Sequence, residues 1–155
     1  MSDFRTTAIE MKRVGVGGID SAGMAARVDA DVAALVAATA TLPRDIIIGL
    51  GANDAVIAVP PDQATFESNI LAIATAYHTA CPDANIWLTL CYRPDVQVWM
   101  DAVVNAGIEH LVATTNWLSV GVDERVVLDG LLVDAAHTDH AGHLVFAAAY
   151  AVLIR

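Results

Sequence analysis

The segment LLVDAAHTDHAGH (Leu131–His143), read together with GLGAND (Gly49–Asp54), decides the fold that this sequence predicts. In the first segment Asp134 precedes His137 by three residues, a spacing at which the carboxylate can hydrogen-bond the imidazole and fix its tautomer. In the second, Asn53 stands on the turn that leaves a short β-branched strand. Both segments therefore predict polar side chains at the ends of buried elements.

Working outward from these segments, strand and helix patterns alternate along the chain. Strands are predicted at 7–16, 45–50, 85–91 and 110–115, helices at 24–39, 64–79, 95–106 and 141–153, and mostly irregular chain at 116–129. This order predicts an α/β fold, a three-layer sandwich around a parallel sheet, as a single domain over residues 1–155. Ligands bind beyond the carboxyl ends of such strands, where 15–21, 51–54 and 134–137 would meet.

Composition limits the partners of the chain. Its net charge of −10 argues against nucleic acid and anionic membranes, because phosphates are neutralised by lysine and arginine. No apolar run reaches the roughly 18 residues that span a bilayer, and the N-terminus lacks the apolar region of a signal peptide. We therefore expect a cytoplasmic or assembly-associated protein. A hydrophobic content of 56% predicts a sheet covered on both faces or an interface with other chains.

A dinucleotide site is one alternative interpretation. VGVGGIDSAG looks like the turn G-x-G-x-x-G at Gly15 and Gly17. However, Asp20 replaces the third glycine, and its carboxylate would repel a pyrophosphate. We therefore expect no cofactor.

A metal site is a second alternative. His137, His140 and His143 form H-x-x-H-x-x-H, a set of possible zinc ligands. On a helix, residues three and six apart drift around the surface, so this spacing does not favour a shared metal. Cys81 and Cys91 also lack metal-type spacing and are expected to be buried, reduced thiols.

The motifs together resemble those of the SGNH (GDSL-type) hydrolases. GLGAND matches the third block of that family, and VDAAHTDHAGH matches the fifth, with Asp134 and His137 in the acid and base positions. RVGVGGIDSAGMAARVDADV (Arg13–Val32) resembles the second block, where Gly18 falls on the glycine whose N–H belongs to the oxyanion hole. The resemblance covers about residues 8–155. It implies an SGNH-type sandwich with a flavodoxin-like strand order and the hydrolysis of small acyl or acetyl esters.

The chain departs from the family most clearly at the nucleophile. The family's first block, a strand followed by Gly-Asp-Ser, should precede residue 8 by several tens of residues, and the chain has no room for it. Arg13 also replaces an expected asparagine, and Thr138 replaces a proline. Ser21 in GIDS is the nearest echo of Gly-Asp-Ser, but its place in the second block favours a helix N-cap. Loss of the first strand would expose sheet edges and apolar faces, which predicts a homo-oligomer or other covering chains.

Two functions follow from these observations. In the favoured one, the chain is a degenerate hydrolase-like module that serves as a structural or binding subunit of a larger assembly, such as a virion. In the other, it is a serine ester hydrolase in which Asp134 and His137 activate Ser21 or a serine from another chain. Asn53 and Gly18 would then donate to the oxyanion; otherwise Asn53 satisfies loop carbonyls. A base and an oxyanion hole without a nucleophile keep only part of the catalytic machinery.

Overall fold

Three parallel strands form the sheet. The computed structural model describes residues 16–128, 145 and 148–152. The strands are β1 (Asp45–Ile48), β2 (Asn85–Leu90) and β3 (Leu118–Asp123), and they lie side by side in chain order. Ile46 pairs with Ile86, and Ile86 pairs with Leu118. Continuous β-branched and aliphatic runs of this kind are typical of strands in buried parallel sheets.

Helices precede β1 and connect the strands. They are α1 (Ser21–Ala38), α2 (Gln63–Ala80), α3 (Gln97–Trp99), α4 (Ala106–Thr114) and α5 (Glu124–Val127). A π-helical segment, Met100–Asn105, joins α3 to α4, so the chain is helical without a break from 97 to 114. The side chains of Asp20 and Asp62 cap the N-termini of α1 and α2, each accepting a backbone N–H three residues later.

The long helices form one layer. Sequential strand order with right-handed crossovers places the helices of both connections on the same face of the sheet. Accordingly α1 packs on α2, α2 packs on α4, and α4 contacts β2 and β3. The core lies between this layer and the sheet, and its most deeply buried members are Phe66, Ile70, Ile73, Ile86, Leu88, Met100, Val104 and Ile108.

The opposite face of the sheet is partly covered. Trp87 is half-buried there and donates its indole N–H to Asp45 at 3.0 Å, while Ile47 on β1 is 36% exposed. Residues 148–152 are helical, and the phenol of Tyr150 hydrogen-bonds the hydroxyl of Thr89 on β2. A helical part of the chain thus meets this face at Thr89.

Much of the predicted order is confirmed. The structure is α/β with a parallel sheet and helices packed on it, and α1, α2, β1 and β2 lie within three residues of their predicted bounds. Cys81 and Cys91 are both buried and unpaired, as expected. The predicted strand at 7–16 and the predicted helix at 141–153 lie largely outside the described residues. No helix in the described ranges is long and apolar enough to cross a membrane.

Two predictions near the end of the sheet were wrong. Residues 110–115, predicted as a strand, are the end of α4 and its C-cap, and the helix predicted to end at Gly107 continues to Thr114. Met100, Val104, Ile108 and Leu111 continue one buried stripe at helical spacing, and packing of that stripe outweighs the β-propensity of HLVATT. The strand lies instead within the segment predicted as irregular.

β3 was missed because its sequence, LSVGVD, has weak β-propensity. Pairing with β2 decides its conformation, and Gly121 shows how closely the two strands approach. A Cβ atom at Gly121 would lie 3.3 Å from the carbonyl oxygen of Leu88 and 3.3 Å from the Cβ of Trp87. A larger residue would push the two strands apart by a few tenths of an ångström, so the glycine that weakens the sequence pattern suits the close approach of the strands.

Candidate functional site

The candidate site lies beyond the carboxyl ends of the strands. The loops that leave β1, β2 and β3 meet at this edge, as expected for a parallel sheet. GLGAND leaves β1, as the sequence predicts. Gly51 is required there because its φ is +129° and an added Cβ would lie 2.5 Å from Cγ1 of Val104. This close approach holds the loop against the π-helical segment.

Ser21 and Asp54 join the start of α1 to the loop after β1. The hydroxyl of Ser21 donates to Oδ1 of Asp54 at 2.5 Å, and the backbone N–H of Ser21 lies 3.1 Å and 3.0 Å from the two carboxylate oxygens. Asn69 on α2 donates its side-chain amide to the Ser21 hydroxyl at 3.1 Å. Ser21 is 0% and Asp54 1% exposed. Asn69 is half-buried, and we call Ser21, Asp54 and Asn69 the triad.

Burial dominates the electrostatics of the triad. It raises the pKa of Asp54 above the usual value of an aspartate, and the nearby charge of Asp20 raises it further. The hydrogen bonds from Ser21 oppose this shift because they stabilise the ionised carboxylate. Ser21 and Asp54 are therefore desolvated, and the hydrogen bonds described for the Ser21 hydroxyl are to Asp54 and Asn69.

The predicted role of Ser21 as a helix N-cap was wrong. Asp20 is the N-cap residue of α1, and its carboxylate accepts the backbone N–H of Gly23 at 2.7 Å. Ser21 is the first residue of the helix, and its own N–H is bound by Asp54. Two carboxylates, of Asp20 and Asp54, thus accept orphan N–H donors at the helix N-terminus.

Asn53 and Gly18 are brought together at the same edge. The side-chain amide of Asn53 donates to the carbonyl oxygen of Ile19 at 2.9 Å, so Asn53 does satisfy a loop carbonyl. Gly18 has φ of +77° in the turn before α1, a conformation that glycine adopts without strain. A primary amide has two N–H donors, so the bond to Ile19 leaves Asn53 chemically able to bind a second acceptor.

A cleft opens beside Asp54. Its volume is about 400 Å³, and its walls come from the loop before α2 and the first turns of that helix. The residues that line it are Ala22, Asp54, Ile57, Val59, Pro60, Pro61, Asp62, Thr65 and Asn69. Most of this surface is apolar, and its polar lining includes Asp54 and Asn69 of the triad. The cleft adjoins the loop after β1 at Asp54, the residue that follows Asn53.

The second half of the predicted site lies outside the described residues. This applies to Asp134 and His137, the predicted acid and base, and to the histidines of the zinc alternative. Gly15 of the dinucleotide alternative also lies outside them. Within the described ranges, no group of three histidine, cysteine or acidic side chains is placed to hold a metal ion.

Three buried or half-buried polar residues were not identified from the sequence. Asn69 adjoins the apolar stripe of α2, and an uncharged amide beside Phe66 and Ile70 is the signal that was available. Asn105 is 1% exposed and binds both the N–H and the carbonyl of Cys91. Glu124 follows β3, so the misassignment of that strand concealed its position.

Glu124 is the most perturbed carboxyl group at this edge. It is half-buried, and its Oε2 accepts the backbone N–H of Tyr92 at 3.0 Å. Burial, assisted by the charge of Asp123, raises the pKa of Glu124 to about 7, while the bond from Tyr92 opposes the shift. Burial also raises the pKa of the Cys91 thiol well above its usual range, which makes it a poor nucleophile at neutral pH.

Comparison of the chain with protein-family models and with curated proteins finds no match to either. The resemblance to SGNH hydrolases therefore depends on the sequence motifs described above and on how well the geometry of the edge agrees with them.

Proposed function

We propose that the chain is an SGNH-hydrolase-like module in which Ser21 has a structural role, and that it serves as a structural or binding subunit of a larger assembly. The observation that carries this proposal is the burial of Ser21. Its hydroxyl is inaccessible and is held between Asp54 and Asn69. At Ser21, the segment that resembles the second block of the family would therefore stabilise the fold rather than take part in catalysis.

A nucleophilic serine needs access to the substrate and a base that can take its proton. Ser21 is 0% exposed, and the group that accepts its proton in the hydrogen bond is the carboxylate of Asp54. Serine activation in hydrolases uses an imidazole oriented by a carboxylate, with the hydroxyl open to the substrate. The surroundings of Ser21 supply neither the access nor the imidazole among the described residues.

A binding role is supported by exposed apolar side chains. Val59 on the wall of the cleft is 81% exposed, and Ile47 on the second face of the sheet is 36% exposed. Covering such side chains removes apolar surface from water, which favours contact with a partner chain. We propose further copies of this chain, or other chains of the assembly, as the partners that cover this surface.

Ester hydrolysis remains as a second candidate because one feature favours it. Asn53 and the Gly18 turn are held together at the carboxyl edge, where the SGNH resemblance places oxyanion donors. In this alternative Asp134 and His137 would activate a serine other than Ser21, supplied by another chain. The substrate would be a small acyl or acetyl ester.

Labelling with a fluorophosphonate tests both candidates. The full chain and its Ser21→Ala and His137→Ala variants are incubated with the probe, and circular dichroism verifies the fold of each. We expect no labelling of any of the three. Labelling of the parent that Ser21→Ala abolishes in a folded variant would overturn the structural role of Ser21. Labelling that survives Ser21→Ala and disappears in His137→Ala would establish the hydrolase with a different nucleophile.

A further inference from the structure

The solvent-facing side of α1 and of the turn that follows it is almost free of charge. Between Asp29 and Arg44 every exposed residue is uncharged. Val36 is 39% and Leu42 48% exposed, and apart from Thr41 the other exposed residues there are alanines. A surface helix normally places charged and polar side chains opposite its buried stripe, and this chain has a net charge of −10. The lack of charge on this side therefore indicates a surface for contact.

The neighbouring helix extends this surface. An open groove of about 660 Å³ lies between α1 and α2, and its walls consist mainly of small side chains. Ala33 and Ala37 stand on one wall and Ala76 and Ala80 on the other, while Asp29 is the charged residue of the lining. The exposed residues of α2 are uncharged as well. Because small side chains let another helix approach closely, this groove suits a helix of a partner.

The surface ends in charges of opposite sign, which together with the groove define what we call the α1 face. Asp29 and Arg44 are both exposed, and neither side chain has a hydrogen bond or ion pair among the described residues. The other described arginines, Arg27, Arg93 and Arg125, are each paired with an aspartate. A two-fold axis across the face brings Asp29 of each copy towards Arg44 of the other. The charge pattern is therefore self-complementary.

We propose that the α1 face binds a second copy of this chain, with the two α1 helices antiparallel and packed along Ala33 and Ala37. The opposite charges at its two ends are what select a second copy as the partner. Its uncharged centre also spares two acidic chains the repulsion that contact through a charged surface brings. The proposal rests on the role as a subunit of an assembly, for which it names a surface and the chain that covers it.

The size of the face is sufficient for a specific contact. Both α1 and α2 have 18 residues. A face of two such helices is about 27 Å long and about 18 Å wide, so two faces together bury about 1,000 Å². This area lies at the lower end of specific protein interfaces. We therefore expect a dimer that forms reversibly and dissociates on dilution.

The α1 face and Ile47 lie on opposite sides of the molecule. The helix layer that contains α1 covers one face of the sheet, and Ile47 stands on the other face. A contact through the α1 face therefore leaves Ile47 open to a further chain. Contacts on both sides link more than two chains, as the subunit of a larger assembly requires.

Disulfide cross-linking tests the arrangement. Both native cysteines are buried, so a cysteine introduced on the surface supplies the reactive thiol. Ala37→Cys and Ala22→Cys, both at exposed positions of α1, are made in the full chain, verified by circular dichroism and oxidised with copper phenanthroline. A disulfide requires Cα atoms within about 7 Å. We expect linked dimers from Ala37→Cys and about tenfold less from Ala22→Cys, which lies about 20 Å further from the two-fold axis.

Charge reversal tests the choice of partner. Asp29→Arg brings two cations together at each end of the dimer, so the Kd of the dimer, measured by sedimentation, should rise about tenfold or more. Asp29→Arg combined with Arg44→Asp exchanges the signs of the pair and should restore the Kd of the parent. Such a restoration requires that each copy supplies both residues of the contact.

Two results would overturn the proposal while the assembly role stands. One is an oligomeric parent in which Ala37→Cys and Ala22→Cys give equal amounts of linked product. The other is a double charge variant that associates as weakly as Asp29→Arg, which would assign the α1 face to a different chain. A parent that is monomeric at every concentration would contradict the assembly role as well. Fluorophosphonate labelling concerns Ser21 and does not bear on this face.

Discussion

At the scale of single residues, Asp54 does more for the structure than its place in a motif indicates. Its carboxylate is the described acceptor for both polar hydrogens of Ser21, 33 positions earlier in the chain. It therefore fixes where α1 begins relative to β1, and so where the Gly18 turn lies relative to Asn53. A buried donor without an acceptor costs about 1–3 kcal/mol, so this contact has a measurable effect on stability.

Replacement of Asp54 by alanine is expected to lower the free energy of unfolding by about 2–4 kcal/mol, because two buried donors of Ser21 lose their acceptor. Urea denaturation followed by circular dichroism measures the change. Asp29→Ala, at an exposed position of α1, is the matched control and should stay within about 0.5 kcal/mol of the parent. Equal stability of the Asp54 and Asp29 variants would show that the triad does not support the fold.

At the scale of elements, the end of β2 depends on a side chain from a helix. The register between β2 and β3 shifts after Leu88, so that Leu90 pairs with Asp123. Beyond this point Asn105, at the end of the π-helical segment, binds the N–H of Cys91 at 2.8 Å and its carbonyl at 3.0 Å. The amide thereby takes the place of a neighbouring strand, since buried backbone groups require partners.

Asn105→Ala should therefore destabilise the protein by about 2–4 kcal/mol, since it leaves two buried backbone groups of Cys91 without their side-chain partner. Thermal and urea unfolding provide the measurement. Asn85→Ala removes an exposed side-chain bond to Asp45 and is expected to cost about 0.5 kcal/mol or less. A loss of stability at Asn85 as large as that at Asn105 would contradict the role assigned to the helix.

The same elements show why part of the fold was predictable. DIIIGL and NIWLTLC are continuous apolar runs bounded by turn residues. Such short runs predict buried strands, because they do not extend a helical stripe of neighbouring residues. HLVATT has equally suitable residues for a strand, yet it completes the helical stripe that Met100 begins. Whether HLVATT forms a strand or a helix depends on the residues that pack against it. Local sequence patterns do not contain that information.

At the scale of the whole molecule, the described core contains only some of the hydrophobic residues, which make up 56% of the chain. One face of the sheet is covered by the layer of α1, α2 and α4, whereas Ile47 on the other face is 36% exposed. Exposed apolar surface on a sheet favours association between chains. This is the structural feature that the proposed role in an assembly requires.

We expect light scattering to give at least twice the mass of one 155-residue chain. Ile47→Lys should shift the protein towards the monomer, because a lysine at an apolar interface loses its hydration without a counterion. Val98→Lys, at a more exposed valine outside the sheet, is the control and should leave the mass unchanged. A monodisperse monomer of the parent protein would contradict the assembly role.

The sequence by itself determined the α/β class, the positions of β1 and β2, and the placement of Asn53 and Asp54 at a carboxyl edge. These features follow from local periodicity and from the geometry of parallel sheets, which short segments already contain. Tertiary structure alone decided that Ser21 is buried against Asp54 and that Glu124 ionises near neutral pH. Both depend on desolvation by residues distant in sequence, and desolvation is determined only when the chain has packed.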